Sequence, residues 1–163
     1  MNRRCSVGVL GVAVSITSEQ GRTPMTAESN KALMRRFVQF INSADEKLAG
    51  ELINPSAIFH VPGQPQPLQG PRGYLAIIGM MRSGFPDIQW TLDEAVAEGD
   101  RVAARYTMRG THRGSFLGVP PTGKGVAVQS MAFYRISDGQ FIEEHGLPDM
   151  LGLTQQIGGV PPA

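Results

Sequence analysis

The sequence predicts an α+β fold in which helices gather on one face of a curved antiparallel sheet, leaving a concavity that can hold a small molecule. Three observations carry this. Between Thr26 and Arg82 apolar residues recur at helical spacing, as in Leu33, Phe37, Phe40 and Ile41 and again in Tyr74, Ile77, Ile78 and Met81. After Gly84 the pattern changes to alternation, starting with Ile88, Trp90 and Leu92. At 163 residues the chain is long enough for one core and one pocket but too short for a separate cofactor domain.

Taken in order, Thr26 and Glu28 favour a helix start, and the apolar stripe carries that helix to about Ile41, with Lys31, Arg35 and Arg36 on its other face. Ser43 to Glu46 reads as a capping box for a short helix that buries Leu48, Leu52 and Ile53 and stops at Asn54-Pro55. A brief apolar run, Ala57 to Val61, ends in a proline-rich loop. Pro71 then suits the first turn of a third helix, from Arg72 to about Arg82. Four antiparallel strands follow: one carrying Trp90 and Leu92, one from Val102 to Met108, one from Val126 to Ile136 and one from Phe141 to His145. The first two are joined at Glu98-Gly99-Asp100, and the last two at Asp138-Gly139, a strong hairpin signal. Pro148 and Asp149 open a short helical segment that closes at Gly158-Gly159.

Fifteen basic residues against fourteen acidic ones give a formal charge of +1, with no block of like charge. Neither nucleic acid nor an anionic membrane is therefore expected as a partner. The lone Cys5 excludes an intrachain disulfide. The three histidines, His60, His112 and His145, lie far apart in sequence, and none has the spacing of a zinc motif, so no metal is expected.

Residues 1–24 differ from the rest. Two arginines, a glycine-broken apolar stretch from Cys5 to Ile16 and a polar segment outline a signal peptide but offer no clear cleavage site. The alternative is that Met25 is the true start and residues 1–24 form a disordered leader. The domain is expected over residues 25–160 and the location to be cytoplasmic, with secretion if residues 1–24 act as a signal.

The element order, together with Phe85-Pro-Asp87, Gly99-Asp-Arg-Val102, Gly110-Thr-His-Arg-Gly114, Pro120-Pro-Thr-Gly123 and Tyr134-Arg-Ile-Ser-Asp-Gly139, resembles the SnoaL-like polyketide cyclases and their ester cyclase relatives. Those proteins belong to the nuclear transport factor two-like superfamily of cone-shaped α+β folds. The resemblance covers about Thr26 to Gly158. It implies three helices on one face of the sheet and an intramolecular aldol condensation of a small hydrophobic carbonyl substrate. It also implies general acid/base catalysis by an aspartate after the last strand, without metal or organic cofactor. Asp149 matches that aspartate, although an aspartate there also suits a helix cap. His145, at the end of a strand upstream, is the candidate assistant. If the alternation holds, its ring shares a face with Phe141 and Glu143.

In the cyclase pattern a histidine on the penultimate strand assists the aspartate, and Ala132 occupies that place here. His60, Trp90, His112, Ser130 and Tyr134 are the candidate substrate contacts. Arg105, Arg109 and Arg113, at every fourth residue, form a basic stripe on an outer strand face. The other superfamily chemistries fit less well. A ketosteroid isomerase would need an aspartate where Val61 or His60 stands, and an epoxide hydrolase would need paired aspartates bridged by arginine. A non-catalytic binder of a small hydrophobic metabolite, and an interaction module, remain open beside the cyclase. A homodimer through the outer sheet face is expected.

Overall fold

Helix α1 (Ala27–Ser43) starts where the Thr26 hydroxyl accepts from the Ser29 N–H and the Ser29 hydroxyl accepts from the Thr26 N–H, a reciprocal cap. The computed structural model describes residues 26–160, so the readings of the leader and of Cys5 fall outside the described residues. Helix α2 (Glu46–Leu52) is capped by Asp45, whose carboxylate accepts from the Leu48 N–H at 2.9 Å. The expected Ser43–Glu46 box therefore does not form. The Ser43 hydroxyl serves the end of α1 instead, donating to Phe40 O and accepting from Asp45 N.

Strand β1 (Ile53–His60) follows without a loop, and Pro55 sits within its register shift between Ile53 and Ile58, as a residue without an N–H requires. The two-residue β2 (Leu68–Gln69) leads into α3 (Gly70–Gly84), with Pro71 in its first turn as expected. Strands β3 (Gln89–Glu98), β4 (Arg101–Thr111), β5 (Gly125–Ser137) and β6 (Gln140–Pro148) complete the sheet, and α4 (Met150–Ile157) closes the fold. Asp138 and Gly139, both at positive φ, form the hairpin turn read from the sequence.

The sheet is open and has the order β2-β1-β6-β5-β4-β3. It is not wholly antiparallel as expected, because β1 runs parallel to β6. The α+β class holds, with four helices among the described residues. Inner-face residues of the sheet meet α1 and α3 around Phe37, which is fully buried. Its ring lies 4.4 to 5.8 Å from those of Phe40, Tyr74, Tyr134 and Phe141, mostly edge-on or tilted, as aromatic quadrupoles prefer.

Two irregularities decide which side chains face inward. Leu92 pairs with Tyr106 but Glu94 with Arg105, leaving Asp93 as an extra residue in β3. Ile136 pairs with Phe141 but Arg135 with Glu143, leaving Ile142 extra in β6. Each bulge switches strand parity. Past Ile142, Glu144 and Gly146 join Phe141 on the inner side, while Glu143 and His145 point outward. The expected shared face of His145, Glu143 and Phe141 is thus broken at Phe141.

Asn42 fixes the start of β3. Its side-chain oxygen accepts from the Trp90 N–H at 2.8 Å, its amide donates to Trp90 O at 2.9 Å, and Arg82 donates to its own carbonyl at 2.6 Å. One residue thus joins α1, α3 and the strand that carries Trp90. Asn42→Ala would leave both backbone groups of Trp90 without these partners and is expected to lower stability by about 2 kcal/mol, read by urea unfolding followed through fluorescence of Trp90, the one tryptophan.

Candidate active site

A cavity of about 290 Å³ opens between α3, the loop after β1 and the inner face of the sheet. Ile41, Phe59, Tyr74, Ile77, Ile78, Met81, Trp90 and Met108 give it an apolar wall. Such a wall favours an apolar ligand, leaving the few polar groups to orient it. Glu144 supplies the carboxylate. Its alternation with Gly146 and Pro148, all three lining the cavity, follows from the Ile142 bulge.

Glu144 is half-buried at the residue level, yet its Oε2 is buried and has no hydrogen-bond partner within the described residues. Burial pushes its pKa up to about 7, and the nearby Tyr74 and Tyr134 hydroxyls only partly offset the rise. A carboxyl group in apolar surroundings loses hydration mainly in its charged form, which is the sense of this shift. The tyrosines form a buried layer beneath it, with the Tyr106 hydroxyl donating to Tyr134 at 3.1 Å. Burial, and the Glu144 charge after it, hold the Tyr74 and Tyr134 hydroxyls well above the usual phenol range, so both stay protonated donors.

Space above the carboxylate comes from missing side chains. Ala132 faces Gly146 across β5 and β6. A methyl group on Gly146 would stand 3.0 Å from Glu144 Oε1. The bare backbone there leaves the carboxylate open to a ligand.

The residues singled out in sequence fall in several places. His60, Trp90 and Ser130 line the cavity. Tyr134 is buried in the core beneath Glu144, outside the cavity lining. His112 is fully buried elsewhere, sharing a 3.0 Å hydrogen bond between Nδ1 and the Thr122 hydroxyl, with its ring 5.2 Å from that of Phe85. Asp149 is exposed at the N-cap of α4, where its carboxylate accepts from the Gly152 N–H at 2.7 Å. It is not among the cavity-lining residues, although its neighbours Pro148 and Met150 are. The basic stripe is locally neutralised at Arg105, which pairs with Asp93 and Glu94.

Histidines far apart in sequence do meet. His60 and His145 are register partners on the parallel strands β1 and β6, and their rings stack 4.1 Å apart and 5° from parallel. The His145 ring donates to Glu143 Oε1 at 3.0 Å, and Arg135 lies 3.5 Å from the other oxygen. The His145 hydrogen bond, with the charges of His145 and Arg135, holds the Glu143 carboxyl below its ordinary range. One ring nitrogen from each histidine and a Glu143 oxygen lie within 4.8 Å of one another. A metal binds imidazole in the ring plane, and an ion between parallel stacked rings lies outside both planes. The geometry suits a hydrogen-bonded cluster on the outer side of the sheet better than coordination.

Residues 31–157 match the family model described as SnoaL-like polyketide cyclase, which spans the whole cavity-bearing region. The chain belongs to this family. Among its relatives, aklanonic acid methyl ester cyclase DauD of Streptomyces sp. (strain C5) is 30% identical over 133 residues, covering 77% of this chain and 80% of that protein. Nogalonic acid methyl ester cyclase of Streptomyces nogalater is 27% identical over 119 residues, covering 72% and 84%. The crystal structure of IdmH, a putative polyketide cyclase from Streptomyces antibioticus, superposes with a TM-score of 0.72 at 31% identity, covering 78% of this chain and 97% of that one.

The sequence reading missed Glu144 and Tyr74 as a pair. Tyr74 lies on the apolar stripe of α3 and reads as core, while Glu144 reads as solvated once β6 is taken as unbroken. Infrared difference spectra are expected to show a carboxylic C=O band that appears as pH falls through about 7 and is absent in Glu144→Gln. The folded pKa lies above the ordinary value of 4.5. The stability this group contributes is therefore complete below about 4.5 and lost as pH rises through about 7, so Glu144→Gln should flatten that part of the stability profile in urea titrations.

Proposed function

We propose that the protein catalyses an intramolecular aldol cyclisation of an apolar polyketide-like ester, with Glu144 as the general acid and base. The observation that carries this is a carboxylate set in the wall of an apolar cavity with its pKa near 7. The family and the ester cyclase relatives support the reaction class.

Ionised Glu144 takes the proton from a carbon flanked by two carbonyl groups, and the C–H electrons move into an enolate. The enolate carbon attacks a ketone carbon of the same molecule, forming the new C–C bond and leaving an alkoxide on the ketone oxygen. Protonated Glu144 returns the proton to the alkoxide, so no electrons are gained or lost overall. A pKa close to the working pH serves both transfers, since neither protonation state is costly to reach. Neutral Tyr74, beside the carboxylate, is a donor for the oxygen that gains charge. His60 lines the cavity and can orient the ester group of an incoming substrate, while His145, on the outer side, stacks against the His60 ring and holds it in place.

Aklanonic acid methyl ester, named for the relatives, is the first substrate to test. Glu144→Gln is expected to lower kcat by a factor of about 100 to 10,000, the usual range for loss of a positioned acid/base, with Trp90 fluorescence still reporting binding. In the wild type kcat/KM should rise with pH through about 7 as the base form fills. Asp149→Asn, which retains a capping side chain, should keep most of the activity. The opposite ranking of the two variants would transfer the role to Asp149, the aspartate implied by the resemblance.

Pairing of two copies through the outer sheet face belongs to the same reading. Phe133, Met131 and Leu147 are exposed and contiguous there, since Met131 pairs with Leu147. Around them Arg135 and Glu143, and Arg105 and Glu94, supply both signs of charge, which a copy related by two-fold symmetry can match. Sedimentation velocity is expected to give a dimer that Phe133→Glu converts to monomer without loss of fold.

A further inference from the structure

Leu117 lines the cavity at its mouth although it is 65% exposed, and it holds a backbone conformation that suits leucine poorly. Phe116 and Val119 bond reciprocally, N–H to O at 3.0 and 2.9 Å, closing a two-residue turn. Its central residues are Leu117, φ 48°, and Gly118, φ 78°. Two successive positive φ angles mark a type I′ turn, where asparagine and glycine are favoured and a side chain with a full Cβ is crowded by the backbone.

The strained residue is not on a loose loop. Arg113 and Gly114 both donate their N–H to Gly84 O, at 2.9 and 3.0 Å, fastening the segment to the end of α3. A Cβ on Gly114 would stand 1.8 Å from Ser83 O, so the backbones are in direct contact. The Phe116 ring meets Phe85 edge-on at 5.1 Å. The turn therefore presents Leu117 from a fixed base to a lining that also includes Met80 and Pro62. Strain kept in a well-anchored element points to a use for the side chain that the fold alone does not supply.

We propose that Leu117 determines specificity as an apolar rim contact, favouring fused-ring carbonyl ligands long enough to reach from Glu144 to the mouth. This rests on the reading that the cavity takes a polyketide-like substrate. A two-ring ligand can sit inside without touching the rim. A three-ring ligand with a carbonyl at Glu144 reaches further toward the mouth and lies against Leu117, which shares the lining with Glu144.

The test is a Trp90 quenching titration with two probes, the three-ring dihydroxyanthraquinone danthron and the two-ring naphthol. Leu117→Asn is expected to weaken danthron binding about tenfold, the loss of one well-buried leucine contact, and to leave naphthol binding unchanged. Its thermal midpoint should rise by about 2 °C, because asparagine accepts the turn conformation. Leu151→Asn, an equally exposed leucine of α4 that does not line the cavity, should alter neither affinity. Unchanged danthron affinity in Leu117→Asn, an equal loss for both probes, a lowered midpoint, or a wild type that fails to bind danthron would each overturn the proposal. Binding is read without turnover, so a failure of the cyclase assignment leaves this result standing, and the reverse holds as well.

Discussion

The extra residue at Ile142 is the constraint on which the site depends. Without it β6 would alternate from Phe141 outward in one unbroken register, sending Glu143 toward the core and Glu144 toward solvent. With it, Phe141 completes the aromatic core around Phe37 and Glu144 still faces inward three residues later. A single inserted residue thus reconciles two demands on one strand. The core needs an aromatic ring at the hairpin end, and the cavity needs a carboxylate further along. The same step turns Glu143 outward, where Arg135 and His145 hold it ionised.

That inward turn has an electrostatic consequence. A carboxylate in a cavity wall shared with Phe59, Ile78 and Trp90 is poorly hydrated, and the three buried tyrosines below it cannot accept its proton because burial keeps them protonated. Toward the carboxylate they can only donate. The layer steadies the carboxylate enough to keep its pKa near neutrality rather than far above it, and it holds the surrounding backbone through close-packed rings. The cluster that stabilises the fold and the group that opposes it are therefore in direct contact. The aromatic packing around Phe37, fully buried on every side, is what allows the fold to carry a desolvated carboxyl group.

Much of the fold was legible because it follows from local rules. The helical stripes of α1 and α3, the proline at the start of α3 and the Asp138-Gly139 hairpin each follow from side-chain period or turn chemistry, and the structure agrees. What was not legible arises from pairing between distant segments. Nothing in the local pattern signals the Ile142 bulge, since Phe-Ile-Glu-Glu-His reads as plain alternation from Phe141. The same holds for His60 and His145. Only the parallel register of β1 on β6 stacks one on the other, although they stand eighty-five positions apart in the chain. Ser43 shows a smaller failure, where two capping residues compete within three positions and Asp45 takes the helix.

Departures from local rules are concentrated around the cavity. Glu144 is a desolvated acid, Gly146 leaves a gap in a strand, and Leu117 occupies a turn position that favours asparagine. Elsewhere among the described residues Ala44 takes a positive φ only to end α1, and Asp138 only to make a hairpin, both ordinary uses. A chain selected for stability alone would relieve the first and the last of these with single substitutions, since Gln at 144 and Asn at 117 would each suit their local surroundings better. Their persistence side by side, on β6 and on the turn between β4 and β5, which meet only in the folded state, is hard to explain by packing. It is what a site predicts when a carboxylate, the space above it and the rim of its entrance must act on the same ligand.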